Sequence, residues 1–241
     1  MRFNLSFPLR QVKYAKGPLN PSLDRNLNTK HTLGKSSPDP MKVKPNPRYA
    51  AFLAGLNKTK PRFSKWQGIA FRAAPLEFAR LAKLLDGLGG LRFGGRWSAS
   101  GTFRAVNLSL TRETAVQESG AHFIYYNFPS SDVSPKILVG VRLTLGKAID
   151  LTNPQGIRKQ PWLRLDELLA EDWRKVNDAG HESQSQALGR AAHNIGAEAL
   201  LAPSARVPGG MNLVYFPESL LDRGKVQVLG QEDLERWLKK R

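Results

Sequence analysis

Three short stretches carry side chains whose types and separation suit chemistry on a charged sugar. Gly94-Gly95-Arg96-Trp97-Ser98 sets a guanidinium after two glycines, Glu118 supplies a carboxylate, and Pro203-Ser204-Ala205-Arg206 supplies a hydroxyl just after an apolar run. Glycines allow close backbone approach, and a planar guanidinium beside free amides can donate to phosphate oxygens. Trp97 adds a large stacking surface. A fixed carboxylate offsets the positive charge that grows on a sugar carbon as its substituent leaves. The set therefore suits an anionic dinucleotide and an oxocarbenium-like transition state. Arg72 closes the strand-like Gly68-Ile69-Ala70-Phe71-Arg72, where a charge is either an edge residue or aimed into a cleft.

Other chemistries find less support. His31, His122, His181 and His193 have no metal-ligand spacing, and the chain has no Cys, so no metal site is expected. Gly87-Leu88-Gly89-Gly90 lacks the full dinucleotide fingerprint, and no phosphate loop ending in Gly-Lys-Ser/Thr occurs. Ser204 lies in Pro-Ser-Ala-Arg rather than in a nucleophile elbow.

The elements that must position these groups are short. Strands are expected at 68–72, 104–110, 123–128, 136–145, 199–201, 213–216 and 226–229. Helices are expected at 76–85, from Thr111 as N-cap to about Ser119, from about Ser185 to Ile195 with Gly196 as the stop, and at 232–239. A glycine-rich turn is expected over 86–95. Strands and helices do not alternate strictly, which favours a mixed α+β fold over a doubly wound sheet.

Charge divides the chain of 241 residues near residue 65. Residues 1–65 hold 14 Lys and Arg against Asp24 and Asp39, so most of the net +17 belongs to this end. Residues 1–62 read as a basic, Pro/Asn/Lys-rich N-terminal extension, and 63–241 as one domain with a sizeable core. Such an extension can lie over its own domain or a partner, make weak phosphate contacts to nucleic acid, or serve as an address. Within it, 47–55 can form a short amphipathic helix ended by Gly55, which must dock or fray. No apolar run approaches the ~18–20 residues of a membrane span, and the N-terminus is too interrupted for a secretory segment. The reading is a cytoplasmic protein without a membrane partner.

From about Ile69 to Val228 the chain resembles the RES domain, a bacterial family named for its arginine, glutamate and serine. The resemblance rests on Phe71-Arg72, Gly94-Gly95-Arg96-Trp97-Ser98 with Gly101-Thr102, Glu113 through Glu118, Ile149-Asp150-Leu151-Thr152, Asp172-Trp173, and Ser185-Gln186-Ala187-Leu188-Gly189. Leu200 through Arg206 and Asn212-Leu213-Val214-Tyr215-Phe216 complete it. Each piece is short; their order and spacing are specific. The basic extension lies outside it.

The resemblance implies an ADP-ribosyltransferase-like fold, a mixed split sheet with flanking helices that holds NAD in a cleft. It also implies breakage of the nicotinamide–ribose bond by an NAD phosphorylase or glycohydrolase, with inorganic phosphate as co-substrate, in a toxin of a type II toxin–antitoxin system. The partner implied is an antitoxin with a helix-turn-helix domain. Glu118 would face the ribose, Arg72 and Arg96 the pyrophosphate or an incoming phosphate, and Ser204 a ribose hydroxyl. Gly95, Trp97, Asn107 and Asn212 would line the nucleotide. The chain departs from the family pattern at Ser98, where asparagine is common, and at Asn107, where a tyrosine commonly ends the strand and supplies a ring for stacking. Two rival readings keep the fold: an ADP-ribosyltransferase acting on a protein, or a non-catalytic NAD-binding module with a nucleic-acid-contacting tail.

Overall fold

A computed structural model describes residues 43–60, 62–127, 135–220 and 226–240. The basic stretch 1–42 and Phe128 lie outside the described residues. In chain order the elements are α1 (Tyr49–Lys58), β1 (Ser64–Pro75), a single 3-10 turn (Leu76–Phe78), α2 (Leu81–Leu84), α3 (Leu88–Phe93), β2 (Val106–Ser109), α4 (Arg112–Ser119) and α5 (Ala121–Tyr125). Then come β3 (Lys136–Asp150), a second 3-10 turn (Ile157–Lys159), α6 (Leu165–Ala170), α7 (Trp173–Asp178), α8 (Gln184–Asn194), β4 (Ala199–Pro203), β5 (Met211–Tyr215), β6 (Val226–Val228) and α9 (Gln231–Lys239).

The six strands form one mixed sheet in the order β1-β2-β5-β4-β3-β6. The pairings are antiparallel except β3 with β4, whose connection runs through α6, α7 and α8, as a parallel crossover requires. β1 also pairs with β3 from Ser64↔Ala148 to Pro75↔Lys136. The neighbour chain therefore returns on itself through the single β1–β2 pair Phe71↔Ser109. A mixed sheet with flanking helices agrees with the expected fold class.

Strand alternation sorts the core into two clusters. Leu200, Ala202, Val214 and Phe216 belong to one, shared with α1, α6 and α8. Ala199, Leu201, Leu213 and Tyr215, the residues between them, belong to the other, shared with β1, β2, β3 and β6. A period of two puts successive side chains on opposite faces, so a two-sided apolar strand serves both. Each fully buried Leu contributes about 1.5–3 kcal/mol.

Three expectations are corrected. The helix expected at 76–85 is broken into the 3-10 turn at Leu76–Phe78 and the short α2 at Leu81–Leu84. Residues 121–125 are helical, not a strand: Tyr125 and Tyr126 send their hydroxyls to Asp172 and Asp178, and these tertiary contacts override the β-propensity of an aromatic run. Within the expected turn at 86–95, Leu88–Phe93 is a short helix, started by Asp86 Oδ1 accepting from the Leu88 amide at 2.9 Å. The α6 and α7 helices had no sequence signal strong enough to be read. The Thr111 cap is present, its hydroxyl accepting from the Thr114 amide at 3.2 Å. In α8 a reciprocal capping box joins Ser183 and Gln186.

The short helix expected within 47–55 docks rather than frays. Phe52 and Leu56 of α1 are fully buried in the first cluster. Before it, Lys44 donates to the Gly180 carbonyl and accepts from the Glu182 amide, both at 2.8 Å. The Glu182 side chain is wholly buried, held by Arg190 Nε and Nη2 and by the Asn46 amide, each at 2.8 Å. The Arg190 guanidinium in turn lies 3.6 Å from the Tyr49 ring centre.

Gly189, in α8, is the tightest contact between helix and loop. A Cβ there would stand 1.8 Å from the Trp97 carbonyl oxygen. Ala is the better helix former by about 1 kcal/mol, but this neighbour is backbone and has little room to yield. Gly189→Ala is expected to destabilise by about 1–3 kcal/mol net, read as a lower urea midpoint; an unchanged midpoint would show that the loop moves freely.

Candidate active site

Arg96 sits at the tip of a four-residue turn. The Gly95 amide donates to the Ser98 carbonyl at 2.7 Å and the Ser98 amide returns a bond at 3.3 Å. Gly94, at φ +71, turns the chain into it; only glycine takes that conformation at no steric cost. Gln186 Nε2 fixes the turn from α8 by donating to the Gly95 carbonyl at 2.9 Å. Trp97 points the other way, 3 % exposed among core residues, so its ring packs the interior rather than facing a ligand. Arg96 Nη1 donates to the Leu168 and Glu171 carbonyls at 3.0 and 3.1 Å.

Glu118 lies near the C-terminal end of α4, half-buried. Its Oε1 accepts from Ser204 Oγ at 2.6 Å and from Asn212 Nδ2 at 2.7 Å. Its Oε2 has no hydrogen-bond partner among the described residues. The Ser204 hydroxyl is itself oriented by the Arg206 and Val207 amides, which donate to it at 3.1 and 2.8 Å. Asn212 is fixed from the next strand by Ser109 Oγ, which donates to its Oδ1 at 2.8 Å. The sheet explains the row: Ser109 is the register partner of Asn212, and Ala202, two residues before Ser204, is Asn212's partner on β4.

Arg96 and Glu118 share one electrostatic neighbourhood. Burial lowers the Arg96 guanidinium below the ordinary arginine value; the Glu118 carboxylate opposes this, while the positive charge of Arg174 adds to it. Arg174, on α7, is lowered chiefly by burial as well, and it too feels Glu118. Arg72 stands one step away. It rises from the same strand face as Ala70 and Ala74, and its Nη1 donates to the Asn107 carbonyl at 3.2 Å. Burial lowers its guanidinium, against the pull of Asp86. The Asn107 side chain borders Gly95: a Cβ on that glycine would lie 3.3 Å from Asn107 Nδ2.

The structure thus joins Arg96, Glu118, Ser204 and Asn212, and reaches Arg72 only by way of Asn107 and Gly95. Sequence reasoning missed Ser109, Arg174, Tyr125 and Tyr126. Arg174 directly follows the Asp172-Trp173 motif, and that adjacency was the available signal; the tyrosines lay in a run read as strand. Among the described residues no group of three or more His, Asp or Glu is placed to hold a metal ion. Two surface hollows, one against α6 (Arg158, Leu163, Asp166) and one between α2 and α9 (Arg80, Leu81, Leu238), lie elsewhere. Neither gathers a polar constellation comparable to that at Glu118, and the site is placed by its chemistry.

In comparisons with known proteins, residues 69–236 match the RES domain. Among solved structures, the fold is similar to a chain of the M. tuberculosis MbcT–MbcA toxin–antitoxin complex. The TM-score is 0.57 at 23 % identity, covering 77 % of this chain and 95 % of that one. No curated protein matches.

The Asn212–Glu118 contact generates a prediction with a definite sign. Asn212→Asp would replace a donor 2.7 Å from Glu118 Oε1 with a second carboxylate. Such a pair holds a proton to higher pH than a lone carboxylate does. The variant is expected to lose about 1.5–3 kcal/mol at pH 7.5 and to recover much of it toward pH 5, as the pair takes up a proton. Urea denaturation at the two pH values reads this; a deficit independent of pH would remove the contact from the account.

Proposed function

The chain belongs to the RES domain family, and we propose from that premise that it is an NAD-consuming enzyme which breaks the nicotinamide–ribose bond. The observation that carries the reading is the Glu118 carboxylate, pinned through Oε1 by Ser204 and Asn212. That leaves Oε2 without a partner among the described residues and the carboxylate within electrostatic reach of Arg96 and Arg174.

Nicotinamide leaves a pyridinium with the electron pair of the C–N bond and departs neutral, so no general acid is needed. The barrier lies in the positive charge on the ribose carbon. Glu118 Oε2 offsets that charge directly or through a ribose hydroxyl. Fixing Oε1 beforehand means that the carboxylate need not reorient as charge develops. Arg96 and Arg72 orient the pyrophosphate or the attacking anion, and Gly95 and Asn107 lie along the path between them. Ser204 holds the carboxylate and is placed to contact the ribose. Inorganic phosphate, or water with loss of its proton, then takes the ribose carbon. Phosphate is favoured by the two guanidinium groups, Arg96 and Arg174, within electrostatic reach of the one carboxylate.

The wider expectations accompany this reading. The sheet is proposed to correspond to the split sheet of ADP-ribosyltransferases. The similar structure is a chain of a toxin–antitoxin complex, which supports a toxin role here with an antitoxin as partner, one carrying a helix-turn-helix domain. Among the described residues no helix is long and apolar enough to cross a membrane, which accords with the proposed cytoplasmic setting. The basic residues 1–62 remain the proposed region for weak nucleic-acid contact. Transfer to a protein acceptor uses the same carboxylate and differs only in what attacks.

The test is nicotinamide release from NAD by the full chain, with and without phosphate. Glu118→Gln keeps the size and an acceptor at Oε1 but removes the charge. It is expected to release nicotinamide at least ~100-fold more slowly while its urea midpoint stays close to wild type. A folded Glu118→Gln protein as fast as wild type would falsify the role. NAD binding without any release by wild type would favour the non-catalytic module.

A further inference from the structure

Arg174 is held in an unusual state for a surface-helix arginine. Its guanidinium carbon lies 4.4 Å from the Trp173 ring centre and 5.1 Å from that of Tyr125. Cation–π contacts of this kind fix the plane of the fork without using its hydrogens. Its Nε is buried with no hydrogen-bond partner, and none of its guanidinium nitrogens makes an ion pair or hydrogen bond among the described residues. A buried donor left unmade costs free energy and calls for an explanation.

The nearby carboxylates do not supply one: their hydrogen bonds go to other groups, and the oxygens left over, such as Glu118 Oε2, make none to Arg174. Asp172 takes the Tyr125 hydroxyl on Oδ2 at 2.8 Å and the Lys175 amide on Oδ1 at 3.2 Å. Asp178 takes the Tyr126 hydroxyl at 3.4 Å. Glu171 takes the Gln184 amide on Oε2 at 2.8 Å, and Glu118 is held by Ser204 and Asn212. Arg174 nonetheless lies within electrostatic reach of both Glu118 and Arg96. Two tyrosine–aspartate bonds from α5 to α7 keep the aromatic faces against it. This is an oriented fork with unmet donors, within electrostatic reach of the candidate active carboxylate.

We propose that Arg174, framed by Trp173 and Tyr125, forms a phosphoryl-oxyanion subsite of the candidate active site. It rests on the functional reading above and deepens it by adding a third arginine that touches the substrate anion. The fork geometry favours a phosphoryl group, which can accept two parallel N–H bonds. The same chemistry is offered by the pyrophosphate of the dinucleotide and by inorganic phosphate, and kinetics separate them.

The experiment uses the full chain with Arg174→Gln. Calorimetry with inorganic pyrophosphate as probe needs no turnover, and the variant is expected to bind at least ~10-fold more weakly than wild type. In the nicotinamide-release assay a rise in KM for NAD alone assigns the subsite to the substrate's own pyrophosphate. A rise in KM for phosphate alone assigns it to the attacking anion. Should Arg174→Gln fail to fold, Arg174→Lys, which keeps charge and stem but lacks the fork, takes its place with the same expected direction. Pyrophosphate affinity and both KM values equal to wild type would overturn the proposal even if NAD is consumed. Wild-type pyrophosphate binding that is lost in the variant, with no nicotinamide release by either protein, would leave the subsite standing and remove the enzymatic reading instead.

Discussion

The register of β5 between β2 and β4 is the constraint on which the site depends. β5 pairs Asn212 with Ser109 on one side and with Ala202 on the other. That places a hydroxyl, an amide and a second hydroxyl in line to receive one carboxylate from α4. Sliding β5 by a single residue would turn Asn212 to the opposite face. It would also bury its amide among Leu213's neighbours, where nothing could accept from it. Because Leu213 and Tyr215 fill one core cluster and Val214 and Phe216 the other, both apolar faces resist such a slip. The packing of the interior and the orientation of Glu118 are thus one requirement.

The electrostatics follow from what surrounds that carboxylate. Arg96 spends Nη1 on two backbone carbonyls, which immobilise it without neutralising it. Arg174 is stacked on rings, and its charge adds to the lowering of Arg96 that burial causes. Nearby acids are occupied by hydroxyls and amides rather than by these arginines. The corner therefore keeps unspent positive charge close to one negative group. An anionic ligand would relieve that arrangement, whereas a neutral one would gain little from it.

Much of this was legible in the sequence, and the reasons are local. Glycines before Arg96, the cap at Thr111, the alternation in β3 and the apolar run before Ser204 each leave a pattern within a few residues. The union of Glu118 with Ser204 was foreseen because spaced motifs resembled a family. The identity of the bonds was not, since Asn212 emerged as the group that grips the carboxylate and Trp97 as a core residue. What escaped was tertiary. The five residues 121–125 are helical because two tyrosines reach across to α7, and no window of sequence contains that information. Arg174 escaped for a related reason: Tyr125 and Glu118 reach it from separate elements, and only the adjoining Trp173 lies in its own stretch of sequence.

The buried Glu182 ties the body to chain upstream of the family match. Its carboxylate is satisfied partly by the Asn46 amide, and its arginine partner is covered by Tyr49; both lie upstream of residue 69, where the family match starts. A fragment trimmed to that match would expose the faces that Phe52 and Leu56 now cover. It would also strip a donor from the wholly buried Glu182 carboxylate. Family kinship can be read from residue 69 onward, but among the described residues backbone bonds to the body are already made some twenty-five residues earlier, at Lys44.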